Sequence, residues 1–291
     1  MMPWLRPAAF SVEHLLSCCV TMGRYREDRM RLHLFAFTLL LVAIAAAIAL
    51  RAESFPYDHM HFNAADPAAA VAWYAKYLSA KLGSLPDRVV MGRTIFAFAK
   101  VDNPLPSAGS AIDHIGISVP NVDAMMKELE AAGAMVTTPA RAVAGLPKAG
   151  FVRDPFGITI ELLEDPDTVG FHHVHLRVSD PDAELKWLFD NYGGERIKWK
   201  GRVDAVRYTN PTVLVLADKS DNAAPSQGHA IDHLGWAVTN VDAKVSDLAS
   251  KGLKTEAPRG VRNLRVGFVF APGGVRIEMV QGRTEEELVG H

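Results

Sequence analysis

The sequence predicts an α+β fold: four copies of a strand–helix–strand–strand–strand module, arranged as two tandem domains behind an N-terminal apolar leader. Three observations predict it. The chain repeats itself from Tyr57 onward, each repeat opens with a strand-type alternation followed by a capped helix, and histidines recur at one place in that alternation.

The repeat can be read directly. Ala111-Ile112-Asp113-His114-Ile115-Gly116 returns as Ala230-Ile231-Asp232-His233-Leu234-Gly235. Asn121-Val122-Asp123-Ala124 returns as Asn240-Val241-Asp242-Ala243, and Gly150-Phe151-Val152 as Gly267-Phe268-Val269. A weaker echo joins Asp58-His59-Met60-His61-Phe62 to His172-His173-Val174-His175-Leu176. Asp66-Pro67 and Trp73 follow the first of these, Asp180-Pro181 and Trp187 the second. The copies are spaced far more widely than the ~20–50 residues of a solenoid unit, so they read as duplicated domains. The expected boundaries are 53–166 and 170–283, after a segment 1–52, with a polar linker at 220–228 inside the second half.

Each module begins with a strand. Ile115, Ile117 and Val119 alternate with His114, Gly116 and Ser118, a period of two with one apolar face. The same alternation sets Met60 and Phe62 against His59 and His61, and Val174, Leu176 and Val178 against His173, His175 and Arg177. A helix then starts at a capping residue, which is Asp66 or Asp180 before a proline, or Asn121 or Asn240. Gly83, Gly133, Gly193-Gly194 and Gly252 are placed to close the four helices. Further strands are expected at 94–99, 151–153, 158–163, 212–217, 267–270 and 275–280. The turns Asp154-Pro155-Phe156-Gly157 and Ala271-Pro272-Gly273-Gly274 make hairpins before the last strand of each half. Trp73 and Trp187 sit on helices and read as core.

Bulk properties bound the function. With 291 residues, 49% hydrophobic and 22% charged, the chain has room for about two ordinary globular domains. A net charge of −2 gives no basic excess that would suit nucleic acid. Residues 32–49 are apolar except for His33 and Thr38, and end in Ala47-Ile48-Ala49, a small-residue pattern that suits signal peptidase. Export to the periplasm or medium is expected, with cleavage between Leu50 and Ser54, and a start at Met22 or Met30 would give a conventional leader. The alternative is a retained anchor, because the run approaches the ~20 residues that span a bilayer. Cys18 and Cys19 both precede the run, so the exported part has neither disulfides nor cysteine chemistry.

The alternation also sorts the chemistry. Apolar residues of the opening strands must face their helices, which turns the histidines to the other, concave side. On the last strands Glu161 opposes Ile160 and Leu162, and Glu278 opposes Ile277 and Met279. A carboxylate in mid-strand is costly to bury unless something pairs with it. Arg153 or Arg276 is one candidate partner, and a metal ion is the other. A lone strand histidine is more often a hydrogen-bonded core residue than a ligand. Four modules with histidine at the same strand position, two of them ending in glutamate, favour the metal: two imidazoles and one carboxylate form a triad with open coordination positions.

Asp113-His114-Ile115-Gly116-Ile117-Ser118-Val119, with Asp154-Pro155-Phe156-Gly157 running into Ile160-Glu161-Leu162, resembles the vicinal oxygen chelate superfamily. That group includes glyoxalase I, extradiol dioxygenases, fosfomycin-resistance thiol transferases and bleomycin-resistance binding proteins. The resemblance covers Tyr57 to about Gln281 and implies paired βαβββ modules closing half-barrels around a divalent ion such as Zn, Mn, Ni or Fe. Carried over by position, it implies one site of His59, His114 and Glu161 and a second of His173, His233 and Glu278. Glyoxalase I adds a fourth ligand where this chain reads Ile95-Phe96-Ala97-Phe98 and Val213-Leu214-Val215-Leu216, neither with a carboxylate. The three-ligand pattern is more similar to thiol transferases and extradiol dioxygenases.

His61 and His175, two residues beyond a ligand and on the same face, are candidate general bases or hydrogen-bonding neighbours of the site. Arg177, Lys148, Arg153, Arg265 and Arg276 are candidates to hold an anionic substrate. The expected function is an exported metalloenzyme acting on a small oxygen-chelating substrate by Lewis-acid proton transfer, as a lyase or isomerase. An Fe(II) extradiol dioxygenase and a small-molecule-sequestering protein are the alternatives. The partner is a small molecule, and the only membrane contact expected is through an uncleaved leader.

Overall fold

The computed structural model describes residues 54–209 and 212–283. The apolar run, both cysteines, both alternative starts and the cleavage window up to Glu53 lie outside the described residues. No described helix is long and apolar enough to cross a membrane.

Four modules follow one another. The first is β1 (Tyr57–Ala64), α1 (Pro67–Tyr77), β2 (Lys81–Leu82), β3 (Arg88–Met91) and β4 (Thr94–Lys100). The second is β5 (Ile112–Ser118), α2 (Val122–Ala131), β6 (Met135–Val143), β7 (Leu146–Arg153) and β8 (Thr159–Leu163). The third is β9 (Gly170–Val178), α3 (Pro181–Tyr192), β10 (Glu195–Trp199), β11 (Val203–Thr209) and β12 (Thr212–Lys219). The fourth is β13 (Ile231–Ala237), α4 (Val241–Ser250), β14 (Thr255–Val261), β15 (Leu264–Phe270) and β16 (Arg276–Gln281).

The capping residues act as the sequence predicts. Asp66, Asn121, Asp180 and Asn240 accept from the backbone N–H groups of Ala69, Ala124, Ala183 and Ala243, satisfying donors that the first helical turn leaves free. Gly133, Gly193 and Gly252 follow their helices at positive φ, but Gly83 does not close α1. That helix stops at Tyr77, and Ser79 adopts the positive φ of 54°. Gly83 instead passes close over Arg88 in the next hairpin. Of the later strands, β2, β6, β10, β11 and β14 carry charged or exposed residues on much of their length and show no clear apolar alternation, while β3 is buried but only four residues long.

In every module the first strand pairs in parallel with the fourth, giving the local order 1-4-3-2. The modules then join in a way that departs from the expected tandem closure. One sheet runs β14-β15-β16-β13-β1-β4-β3-β2 and unites the first and fourth modules. The other runs β10-β11-β12-β9-β5-β8-β7-β6 and unites the second and third. Linker length supplies the reason. Only residues 164–169 separate β8 from β9, so the third module stays beside the second and β9 pairs antiparallel with β5. The longer connections 101–111 and 220–230 carry the chain from one sheet to the other, and they bridge each other at Leu105–His229 and Ser110–Ala224.

The apolar faces of both sheets and the inner faces of the helices share one core, which includes Met60, Phe62, Ile115, Ile160, Val174, Leu234 and Met279. Tyr74 of α1 donates to Asp154 Oδ2 at 2.9 Å and Trp73 Nε1 to the Ala132 carbonyl at 3.0 Å, tying the first module to the second across that core. Trp73 is buried and Trp187 packs against the core, as expected. Burying these side chains turns the alternate positions, and with them the histidines, into two concave faces.

Candidate metal centres

The centre on the first sheet forms where β1 and β13 lie antiparallel, with His61 opposite His233 and His59 opposite Gly235. β16 runs beside β13 and sets Glu278 next to Gly235. Glu278 Oε2 lies 2.9 Å from His233 Nε2 and 3.2 Å from His59 Nε2, and His61 Nδ1 lies 3.0 Å from His233 Nε2. The far nitrogens are engaged. His59 Nδ1 donates to Asp58 Oδ2 at 2.7 Å and His233 Nδ1 to Asp232 Oδ1 at 2.6 Å, which leaves each Nε2 facing the centre. Two arginines hold the carboxylates: Arg283 reaches Asp58 at 2.9 and 3.1 Å, and Arg276 reaches Asp232 at 2.8 Å.

The second sheet repeats the plan. His114 of β5 lies opposite His175 of β9, Gly116 opposite His173, and Glu161 of β8 beside Gly116. Glu161 Oε2 is 3.4 Å from His114 Nε2 and 3.2 Å from His173 Nε2. His114 Nδ1 donates to Asp113 at 2.9 Å, whereas His173 Nδ1 meets His172 Nδ1 at 2.9 Å. His114 Nε2 and His173 Nε2 are buried and make no well-directed hydrogen bond to the nearby Glu161, and His175 Nδ1 is buried with no partner, while His175 Nε2 lies 3.2 Å from Asp218 Oδ2. Orphaned imidazole nitrogens facing a carboxylate are what an ion-binding set looks like in the protein alone.

Electrostatics separates the two centres. Burial opposes charging His59, but its hydrogen bonds to Asp58 and Glu278 outweigh that and lift it to about 9. For His173 burial wins and the ring is pushed down to about 3, because Glu161 does not offset it and His172 adds repulsion. Burial alone would raise Glu161 and Glu278, yet the imidazoles beside each hold both carboxyls well below the usual range.

All six residues expected as ligands therefore face a centre, but in different company. His59 joins His233 and Glu278, while His173 joins His114 and Glu161. The expected sets of His59 with His114 and Glu161, and of His173 with His233 and Glu278, are corrected by the sheet pairing across the halves. His61 and His175 fall inside the clusters, within 4.8 Å of the other donor atoms. Register explains why. His59 and His233 hold equivalent places, as do His173 and His114. Two residues on, Gly235 and Gly116 have Glu278 and Glu161 beside them, whereas His61 and His175 have Ala97 and Leu216. An imidazole stands on the opening strand where the neighbouring strand offers no carboxylate.

The acids behind the imidazoles escaped the sequence reading, although three of the four opening strands spell Asp-His: Asp58-His59, Asp113-His114 and Asp232-His233. The basic candidates divide. Lys148 pairs with Asp123 and Arg265 with Asp242, each at a helix start. Arg153 reaches Met135 Sδ, and Arg276 backs Asp232 and Glu256 rather than Glu278. Arg177 lines a cleft, a 400 Å³ space over the second centre shared with Arg141, Phe151 and Trp199. A 490 Å³ cleft over the first centre is edged by Ser84, Arg88, Arg262 and Asn263. Both volumes suit a small ligand.

The model of the Glyoxalase/Bleomycin resistance protein/Dioxygenase superfamily matches residues 57–162 and 170–279. The chain belongs to that superfamily. Among solved structures, this member of the superfamily is similar to glyoxalase I from Zea mays, with a TM-score of 0.62 and 19% identity over 78% of this chain and 92% of that one. It is also similar to a putative dioxygenase from Bacillus subtilis, with a TM-score of 0.56 and 16% identity over 80% and 87% of the two chains. At these identities the likeness is one of fold. No curated protein sequence matches the chain.

Proposed function

We propose that this chain is an exported enzyme that holds one divalent ion in each centre and acts on a small substrate bearing neighbouring oxygens. The reaction class is redox-neutral proton transfer, as in a lyase or isomerase. One observation carries the reading: three imidazoles and one carboxylate from three strands converge on one spot, twice, with ligand atoms within 4.8 Å of one another. Such a set suits Zn, Mn, Ni or Fe. An ion held there supplies a Lewis acid that stabilises negative charge developing on a substrate oxygen.

The chain's own residues divide the remaining work. His59, His233 and Glu278 hold the first ion, and His114, His173 and Glu161 the second. His61 and His175, candidate general bases or hydrogen-bonding neighbours by sequence, lie among the donor atoms and serve as the fourth ligands. Burial and the nearby His233 push His61 down, which favours the neutral form a metal requires. Arg262 at one mouth, where Arg88 is paired with Asp87, and Arg141 and Arg177 at the other place positive charge where an anionic substrate would enter.

Protein purified without chelators is expected to contain two equivalents of divalent metal by elemental analysis. Retention of none after refolding with excess Zn²⁺, Mn²⁺ or Fe²⁺ sinks the proposal. Turnover should persist without oxygen and with Zn²⁺, and activity confined to Fe²⁺ with O₂ would make the protein a dioxygenase. Export is supported by the apolar run at 32–49 and its small-residue end. N-terminal sequencing of protein from the periplasm or medium should begin between Leu50 and Ser54, and a full-length chain extracted only by detergent would replace the signal peptide with an anchor.

A further inference from the structure

The two centres share a ligand plan but differ in what stands behind one imidazole. In the first, His59 Nδ1–H is received by Asp58, which is fully buried and gripped by Arg283. In the second, the residue at that place is His172, also fully buried. Its Nδ1 lies 2.9 Å from His173 Nδ1 and its Nε2 3.2 Å from Asp165 Oδ2. With His173 Nε2 turned to the centre, His173 Nδ1–H must donate to His172 Nδ1, and His172 Nε2–H then donates to Asp165. Asp165 is itself held by Lys200 at 2.8 Å and Trp199 Nε1 at 3.2 Å. Asp58 and His172 each precede a ligand, while Arg283 and Asp165 each lie just beyond a closing strand. A carboxylate–guanidinium pair in one centre thus answers an imidazole–carboxylate pair in the other. Both residues of the pair differ together, and both pairs are intact.

We infer that the first centre binds its ion more tightly than the second, and that His172 is the positioning residue that loosens the second. The inference rests on the reading that both centres hold a divalent ion. A carboxylate accepting the outer N–H makes an imidazole a stronger donor to the metal, and losing such a partner costs roughly 10–100-fold in metal affinity. A neutral imidazole in that place supplies much less. Glu278 also lies closer to its histidines, at 2.9 and 3.2 Å, than Glu161 does at 3.4 and 3.2 Å. Asp218 near His175 adds negative charge to the second centre, but its side chain is 60% exposed and screened by water, unlike Asp58.

The test loads the whole metal-free protein with one equivalent of Co²⁺ and locates the ion by anomalous scattering in crystals. Occupancy should favour the first centre by roughly 10–100-fold. Equal occupancy, or a preference for the second centre, overturns the inference. Cobalt in neither centre overturns the metal reading and the inference with it. Asp58→Asn keeps an acceptor but removes the charge, and should cut the preference by about tenfold. An unchanged preference in that variant overturns the assignment to the backing residue. If Asp58→Asn does not fold, the occupancy ratio in the unaltered chain decides alone.

Discussion

A chain carrying both His59→Ala and Glu278→Ala is expected to keep one equivalent of divalent metal, whereas His59→Ala combined with Glu161→Ala should keep none. The first pair damages one centre twice, because the two side chains meet at 3.2 Å although 219 residues separate them. The second pair damages both centres once. Each lost ligand should cost more than the roughly 10–100-fold that removal of an outer partner costs, enough for the ion to be stripped on desalting. Elemental analysis of the desalted variants, with circular dichroism to show that each is folded, reads the result. If each half closed its own site, the outcomes would be reversed, with His59→Ala/Glu161→Ala retaining one equivalent and His59→Ala/Glu278→Ala none. The experiment therefore tests the sheet pairing as directly as it tests the ligands.

That pairing marks where sequence reasoning ran out. Alternation in 112–118 and 231–237 told which residues face the core, because burying Ile115, Ile117 and Leu234 leaves His114 and His233 only the other side. The same logic singled out Glu161 and Glu278 as carboxylates in mid-strand. Periodicity is a local property, however, and it does not state which opening strand lies against which. The information was present in another form: a connection of 164–169 against connections of 101–111 and 220–230. The short one holds neighbours together and the long ones permit a crossing. Alternation put His61 and His175 on the face of the site, but that they stand among the donor atoms was illegible for a related reason. Their standing there goes with Ala97 and Leu216 in the adjacent strands, a relation visible only once register is known. Edge strands such as 81–82 and 195–199 were missed because half-exposed, charged sequence carries no apolar face to betray them.

Gly235→Ala is expected to empty the first centre while sparing the second, and Gly116→Ala to do the reverse. In ordinary strand surroundings glycine-to-alanine exchange is mildly stabilising, by about 0.4–1 kcal/mol, since it narrows the unfolded ensemble. Neither glycine has positive φ, so backbone strain does not forbid the change. The obstacle is the partner strand. A Cβ on Gly235 would lie 2.1 Å from Cε1 and 2.3 Å from Nδ1 of His59, and a Cβ on Gly116 would lie 2.0 and 2.1 Å from the same atoms of His173. These rings cannot swing aside cheaply. Each is buried and fixed by a hydrogen bond at Nδ1, to Asp58 or to His172. Overpacking of this kind costs about 1–3 kcal/mol, which reverses the usual sign. Displacing the ring also moves its Nε2 off the centre. Each variant should consequently bind one equivalent of metal instead of two and melt at lower temperature than the unaltered chain when both are metal-free. Measuring stability without metal separates the packing cost from the lost stabilisation by the ion. A Gly235→Ala chain that retains two equivalents and melts no lower would mean that His59 does not occupy the space where the register places it, and the first centre would lose one of its four candidate ligands.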